Sequence, residues 1–213
     1  MSTRVGIVDD MPLMRTALRT ILENSGLEVV GEAGDGDAAL SLARSTRPDV
    51  MLMDVRMPGR DGIGATRMIV GSVPMTRVLV LTTFDDDDVL YGALAAGAAG
   101  FVLKNSAPED IVRAIHSVAA GDSVLDPTVA GRVFARFARQ PLTGDRTALE
   151  RLTERERDTL RLLCGGLTNS EIAAQLGVGE ATSKTHVSHV LAKLGVRDRV
   201  QAVIYAYETG FAP

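Results

Sequence analysis

Asp9 and Asp10, Asp54, Thr82 and Lys104 each follow a short apolar run, at residues 5–8, 50–53, 78–81 and 101–103 respectively. Three carboxylates supply the hard oxygen ligands that Mg2+ prefers. One carboxylate is also a nucleophile for a phosphoryl group, and an ammonium beside it can neutralise the transferred oxygens. These residue types together suit a small Mg2+ site next to a carboxylate that accepts phosphate. They can act together only if the four runs end at one place.

The runs are short, rich in β-formers and bounded by polar or turn residues, as strands buried on both faces should be. A further run at 27–33 reads as a strand. Helical patterns intervene at about 12–24, 37–45, 64–70, 88–96 and 108–120. Strict alternation of this kind predicts a doubly wound parallel sheet of five βα units. In such sheets ligands gather outside the carboxyl ends of the strands, where the aspartates, threonine and lysine stand. The acidic run at 85–88 reads as a solvated helix start rather than a second metal site. His116 reads as a surface residue of the last helix.

Charge is uneven along the 213 residues: residues 1–121 carry net −5, residues 122–150 are neutral and residues 151–213 carry +1, giving −4 overall. A mildly basic C-terminal part does not identify a nucleic-acid binder by charge alone. The single cysteine, Cys164, excludes an intramolecular disulfide and a cysteine-rich metal site. No stretch approaches a membrane span, and Met1-Ser2-Thr3-Arg4 leads straight into a strand, so a cytoplasmic protein is expected.

Residues 3–121 resemble the receiver domain of bacterial response regulators. The resemblance rests on Asp9-Asp10, Asp54 with Met57-Pro58-Gly59 and Asp61-Gly62, Thr82, and Lys104 preceded by Ala96-Gly97-Ala98-Ala99-Gly100-Phe101. It implies that Asp10, Asp54 and the backbone carbonyl of Arg56 hold Mg2+, with Asp9 in support. It further implies that Asp54 takes a phosphoryl group from a histidine of a partner sensor kinase, with Lys104 neutralising its oxygens. Thr82 would then move to bond that group, and Phe101 would turn inward behind it.

Past Gly121-Asp122, the apolar residues Val129, Val133, Phe134 and Phe137 follow helical spacing, and residues 140–148 read as a tether. The rest is helical. Thr153 with Glu156 and Thr168 with Glu171 are capping boxes opening helices to Leu163 and about Leu176. After Gly177-Val178-Gly179, a helix from about Glu180 to Leu194 carries Val187, Val190, Leu191 and Leu194 on one face. A last helix follows from about Arg199 to Glu208. Two helices joined by a tight glycine turn make a helix-turn-helix.

The segment 152–211 resembles the LuxR-type DNA-binding domain that ends NarL/FixJ-family response regulators. The motifs are Leu152 to Glu156, Gly166 to Ala173, Glu180-Ala181-Thr182, Lys184 to Val187 and Leu194-Gly195-Val196. The resemblance implies that Lys184, Thr185 and Ser188 approach the major groove, with Thr182, Asn169 and Lys193 on phosphates. Ser183 departs from the family, which usually has an aliphatic residue there. It falls on the face of Val187, so weaker anchoring or a small cavity is expected. His186 and His189 lack a nearby third ligand for a metal.

The expected architecture is a flavodoxin-like five-stranded receiver (1–121), a helical linker and tether (122–148) and a four-helix helix-turn-helix domain (149–213). The expected function is a two-component response regulator and transcription factor that dimerises on phosphorylation and binds an inverted-repeat operator in double-stranded DNA. RNA polymerase is a further candidate partner. Beyond accepting and shedding its own phosphoryl group, no dedicated enzymatic activity is expected. A haloacid-dehalogenase-type phosphatase would want a second aspartate where Arg56 stands, and would leave the C-terminal helices unexplained. A constitutive DNA binder with the receiver as scaffold would leave the acidic pair, Asp54, Thr82 and Lys104 without a use.

Overall fold

A computed structural model of the chain describes residues 2–82, 87–122, 124–125, 146–196 and 198–211. The chain divides into two compact units, Met1–Asp126 and Pro127–Pro213. The expected helix at 129–137, the tether at 140–145 and the first two residues of the acidic run at 85–88 lie outside the described residues.

The first unit alternates β1 (Arg4–Val8), α1 (Pro12–Asn24), β2 (Glu28–Ala33), α2 (Gly36–Thr46), β3 (Val50–Asp54), α3 (Gly62–Ser72), β4 (Arg77–Thr82), α4 (Asp87–Ala96), β5 (Gly100–Leu103) and α5 (Pro108–Ala119). A two-residue β6 (Val124–Leu125) then pairs beside β5. The strand order is β2-β1-β3-β4-β5-β6, and every pairing is parallel. The expected five-stranded parallel sheet is therefore present, extended at one edge by β6.

Alternate strand residues face opposite sides of a sheet. Val5, Ile7, Val50, Leu52, Leu79, Leu81 and Val102 pack with Leu18 and Leu22 of α1 and with Ile111, Ala114, Ile115 and Val118 of α5. On the other face, Leu42 of α2 lies against Gly6 and Gly31, where a Cβ would come within 3.5 Å and 2.4 Å of its methyl groups. Both faces are covered, which explains why β3 and β4 are unbroken apolar runs.

The second unit holds α6 (Thr147–Glu150), α7 (Glu154–Cys164), α8 (Asn169–Leu176), α9 (Glu180–Leu194) and α10 (Arg199–Glu208). The four longer helices match the expected set, while α6 falls across the expected end of the tether. Leu149 of α6 joins Leu152, Leu160, Leu163, Ile172, Val187, Val190, Leu194, Ala202 and Ala206 in one core. Both capping boxes form, each with Thr and Glu bonding the other's backbone N–H. Gly177 ends α8 at φ +65°, a conformation that costs a residue with a Cβ and frees the chain to turn into α9.

Candidate functional site

Register brings the chemistry to one edge. Val8 pairs with Met53, Asp54 with Leu81 and Thr82 with Leu103. Asp9, Asp54, Thr82 and Lys104 therefore stand in order at the carboxyl ends of β1, β3, β4 and β5. Ligand oxygens of Asp9, Asp10 and Asp54 all lie within 4.8 Å of one another. Asp9 and Asp54 are buried and Asp10 is exposed, so the cluster opens to solvent on the Asp10 side.

Lys104 ties the cluster together. Its Nζ lies 2.5 Å from Asp9 Oδ2 and 3.0 Å from Asp54 Oδ2, and its side chain is only 7% exposed. Burial pulls the ammonium's pKa down, but its hydrogen bonds to Asp9 and Asp54 outweigh that and hold it above the ordinary value. Burial lifts the Asp54 carboxyl above its usual range, opposed by the hydrogen bond and charge of Lys104. The other Asp54 oxygen accepts the Val55 N–H at 2.8 Å, which leaves the carboxylate oriented. Thr82 is buried, and its carbonyl accepts the Lys104 N–H at 2.7 Å. Phe101, paired with Val80, is fully buried. Arg56 is exposed in the loop beyond Asp54.

That loop is held at both ends. Gly62 donates its N–H to Val55 O at 2.9 Å, and a Cβ on Gly62 would sit 1.9 Å from Asp54 O. Only glycine fits there, so α3 starts directly against the Asp54 backbone. Farther along, Arg60 O accepts the Gly36 N–H at 3.2 Å and Arg60 Nε lies 2.6 Å from Asp37. Asp61 caps the helix from outside it, and α3 begins at Gly62, two residues before the helical pattern expected at 64–70, because only glycine allows that close approach. The donor set of Asp9, Asp10 and Asp54 is all oxygen and anionic, beside a loop backbone free of helix or sheet, and it fits a Mg2+ ion.

In the second unit, α8, its glycine turn and α9 form the helix-turn-helix. Ser183, Val187, Val190 and Leu194 face the core, while Thr182, Lys184, Thr185 and Ser188 are exposed. Thr185 Oγ1 donates to Ala181 O at 3.0 Å, which spends the hydroxyl proton and leaves its oxygen as an acceptor. Lys184 Nζ lies 3.1 Å from Glu180 one turn back. Asn169 is the first residue of α8 and half-buried. Lys193 is engaged within the domain: its Nζ donates to Glu156 Oε2 at 2.6 Å, joining α9 to the start of α7. Burial pushes the Glu156 carboxyl up, but Lys193 and the Thr153 N–H more than reverse this and leave it below the usual range.

Arginines that charge counting would assign to DNA also serve the fold. Arg155 caps Leu176 O at the end of α8 at 2.5 Å, Arg157 bonds Leu149 O at 2.6 Å, and Arg199 bonds Leu167 O. Ser183 is fully buried, and its Oγ has no hydrogen-bond partner among the described residues.

Residues 5–116 match the response regulator receiver domain and residues 150–206 match the luxR family of bacterial regulatory proteins. The transcriptional regulatory protein LiaR of Bacillus subtilis (strain 168) is 40% identical over 206 residues, covering 96% of each chain. The crystal structure of the response regulator ChrA of a heme-sensing two-component system is 36% identical, covers 98% of each chain and superposes with a TM-score of 0.54. A structure of two RcsB dimers bound to two parallel DNAs is 26% identical, covers 98% of this chain and 99% of that one, and gives a TM-score of 0.57. With a receiver in its first half and a luxR-type helix-turn-helix at its end, the chain belongs to the NarL/LuxR family of two-component response regulators.

Proposed function

We propose that Asp54 is the phosphoacceptor of this regulator and that its phosphorylation by a sensor histidine kinase promotes dimerisation and binding to an inverted-repeat operator. The observation that carries the reading is the placement of Lys104 between Asp9 and Asp54, at 2.5 Å and 3.0 Å, at the open edge of the sheet. An oriented Asp54 oxygen attacks phosphorus. The new bond joins carboxylate oxygen to phosphorus, and the bond from phosphorus to the donor's histidine nitrogen breaks. Lys104 already stands where the transferred oxygens need neutralising. Asp10, Asp54 and the Arg56 carbonyl would hold Mg2+, with Asp9 in support. When bound, the ion supplies Lewis-acid stabilisation of the phosphoryl oxygens.

Thr82 and Phe101 form the switch: the Thr82 hydroxyl bonds the new phosphoryl group, and the buried Phe101 is the inward position of the pair. In the DNA-binding unit, Lys184, Thr185 and Ser188 enter the major groove, with Thr182 and Asn169 on phosphates. Lys193 reaches a phosphate only by giving up Glu156. The organisation is a receiver at 1–121, a linker at 122–148 and a DNA-binding domain at 149–213, acting in the cytoplasm on double-stranded DNA beside RNA polymerase. Spontaneous hydrolysis of the acyl phosphate resets the receiver. The dimers in the DNA-bound RcsB structure support a dimeric bound form here. Among the described residues no helix is long and apolar enough to cross a membrane.

A small phosphodonor with Mg2+ should add one acid-labile phosphoryl group to the wild-type chain and none to Asp54→Asn, read by intact mass. Labelling of Asp54→Asn at the wild-type level would refute the assignment.

A further inference from the structure

Asp9 spends all of its polar groups. Its N–H donates to Ala33 O at 3.1 Å, its Oδ1 accepts the Met11 N–H at 2.9 Å and its Oδ2 accepts Lys104 Nζ at 2.5 Å. Its carbonyl oxygen accepts Arg15 Nη1 at 2.7 Å. That last bond matters for the next residue. The carbonyl of Asp9 and the N–H of Asp10 belong to one planar peptide, so fixing the oxygen fixes the plane from which Asp10 departs. Asp10 is exposed, and no hydrogen bond or ion pair holds its carboxylate among the described residues. Its direction therefore depends on its backbone.

Arg15 is itself braced. Its Nε lies 3.3 Å from Glu32 Oε2, and its side chain is 20% exposed. The other Glu32 oxygen lies 2.6 Å from Arg19 Nε, and Arg19 Nη1 lies 2.9 Å from Glu23. A guanidinium is planar, so the bond from Nε to Glu32 aims Nη1 at the Asp9 carbonyl. The chain Glu23, Arg19, Glu32, Arg15 thus anchors the acidic-pair loop to α1 and β2.

We propose that Arg15 is a positioning residue for Mg2+: it sets the Asp9–Asp10 peptide and through it the Asp10 carboxylate. The inference rests on the reading that Asp10 and Asp54 hold the ion. Mg2+ demands near-ideal octahedral geometry, so a ligand loose by a fraction of an ångström lowers affinity. Groups that orient metal ligands typically matter about 10–100-fold in metal affinity.

Calorimetric titration of Mg2+ into the full chain tests this. Arg15→Met should raise the Mg2+ Kd by about tenfold or more. The rate of phosphorylation by a small phosphodonor at saturating Mg2+ should stay near wild type. Arg19→Met removes one hold on Glu32 but leaves the Arg15 bonds to Glu32 and to the Asp9 carbonyl, so its loss should be clearly smaller than that of Arg15→Met. Arg15→Lys, with one donor for the carbonyl and no planar fork, should fall between. Wild-type affinity in Arg15→Met, or an equal loss in Arg19→Met, overturns the role. If Arg15→Met does not fold by circular dichroism, Arg15→Lys decides, and wild-type affinity there overturns it. Asp10→Asn separates the two readings: if it binds as wild type does, or if the wild type binds no Mg2+, the pocket assignment fails and this inference with it. Loss in Asp10→Asn with wild-type binding in Arg15→Met overturns the Arg15 role alone.

Discussion

The Ser183 hydroxyl lies in an apolar core with no hydrogen-bond partner among the described residues, on the helix that presents Lys184 and Thr185 to solvent. A serine inside a helix can return its proton to the carbonyl four residues back, as Thr185 does to Ala181. Ser183 does not, so its hydroxyl has lost water and gained nothing. Ser183→Ala removes that cost and adds helix propensity, and should stabilise the second unit by about 1 kcal/mol. Scanning calorimetry of the full chain reads this as a rise in the midpoint of that unit, with operator affinity unchanged because the residue faces inward. An unchanged or lowered midpoint would mean that the hydroxyl has found a partner in solution. The larger Ser183→Val adds methyl groups to the same stripe and gains only where the site has room. The sequence alone exposed this residue, because its spacing from Val187 placed a polar group on an apolar face.

At the scale of elements, the strands were legible and the long-range tethers were not. Asp9, Asp54, Thr82 and Lys104 could be placed because a strand buried on both faces is an uninterrupted apolar run, and its end is the first polar residue. The two residues of β6 have no period to detect, and the four of α6 too few turns. The sequence places the start of α3 two residues late, because Gly62 has the look of a turn residue and its contact with the Asp54 carbonyl leaves no local pattern. No spacing rule joins Lys193 to Glu156 across 37 residues. That pair carries a prediction at its own scale. The Glu156 carboxyl titrates below its ordinary value, so its stabilising contribution is complete above that value and is lost as pH falls through the folded one. Lys193→Met should therefore cost about 1 kcal/mol at neutral pH, the ammonium being partly exposed and screened. The gap to wild type should narrow as the pH drops below the usual glutamate range. Urea unfolding of both proteins at neutral and acid pH checks it, and a gap constant with pH would assign the loss to packing of the lysine stem.

At the scale of the whole molecule, charge sets how the regulator must find DNA. Residues 1–121 carry net −5 and residues 151–213 only +1, and several arginines of the latter bond backbone carbonyls within the domain. One helix-turn-helix with so small a surplus of charge makes few phosphate contacts, and nonspecific attraction to DNA is correspondingly weak. On the proposed dimeric reading, affinity comes from joining two half-sites about one helical turn apart, so that the second copy of the DNA-binding unit binds at raised effective concentration. Counterion release counts those contacts, since the slope of log affinity against log salt scales with the number of phosphates neutralised. If phosphorylation of Asp54 assembles the dimer, phosphorylated chain on an inverted-repeat operator should show about twice the salt slope of the unphosphorylated chain. Sedimentation should show a doubling of mass over the same comparison. Equal slopes and equal masses in the two states would instead make the receiver a constitutive scaffold, with Asp54 chemically competent but uncoupled from the DNA-binding helices.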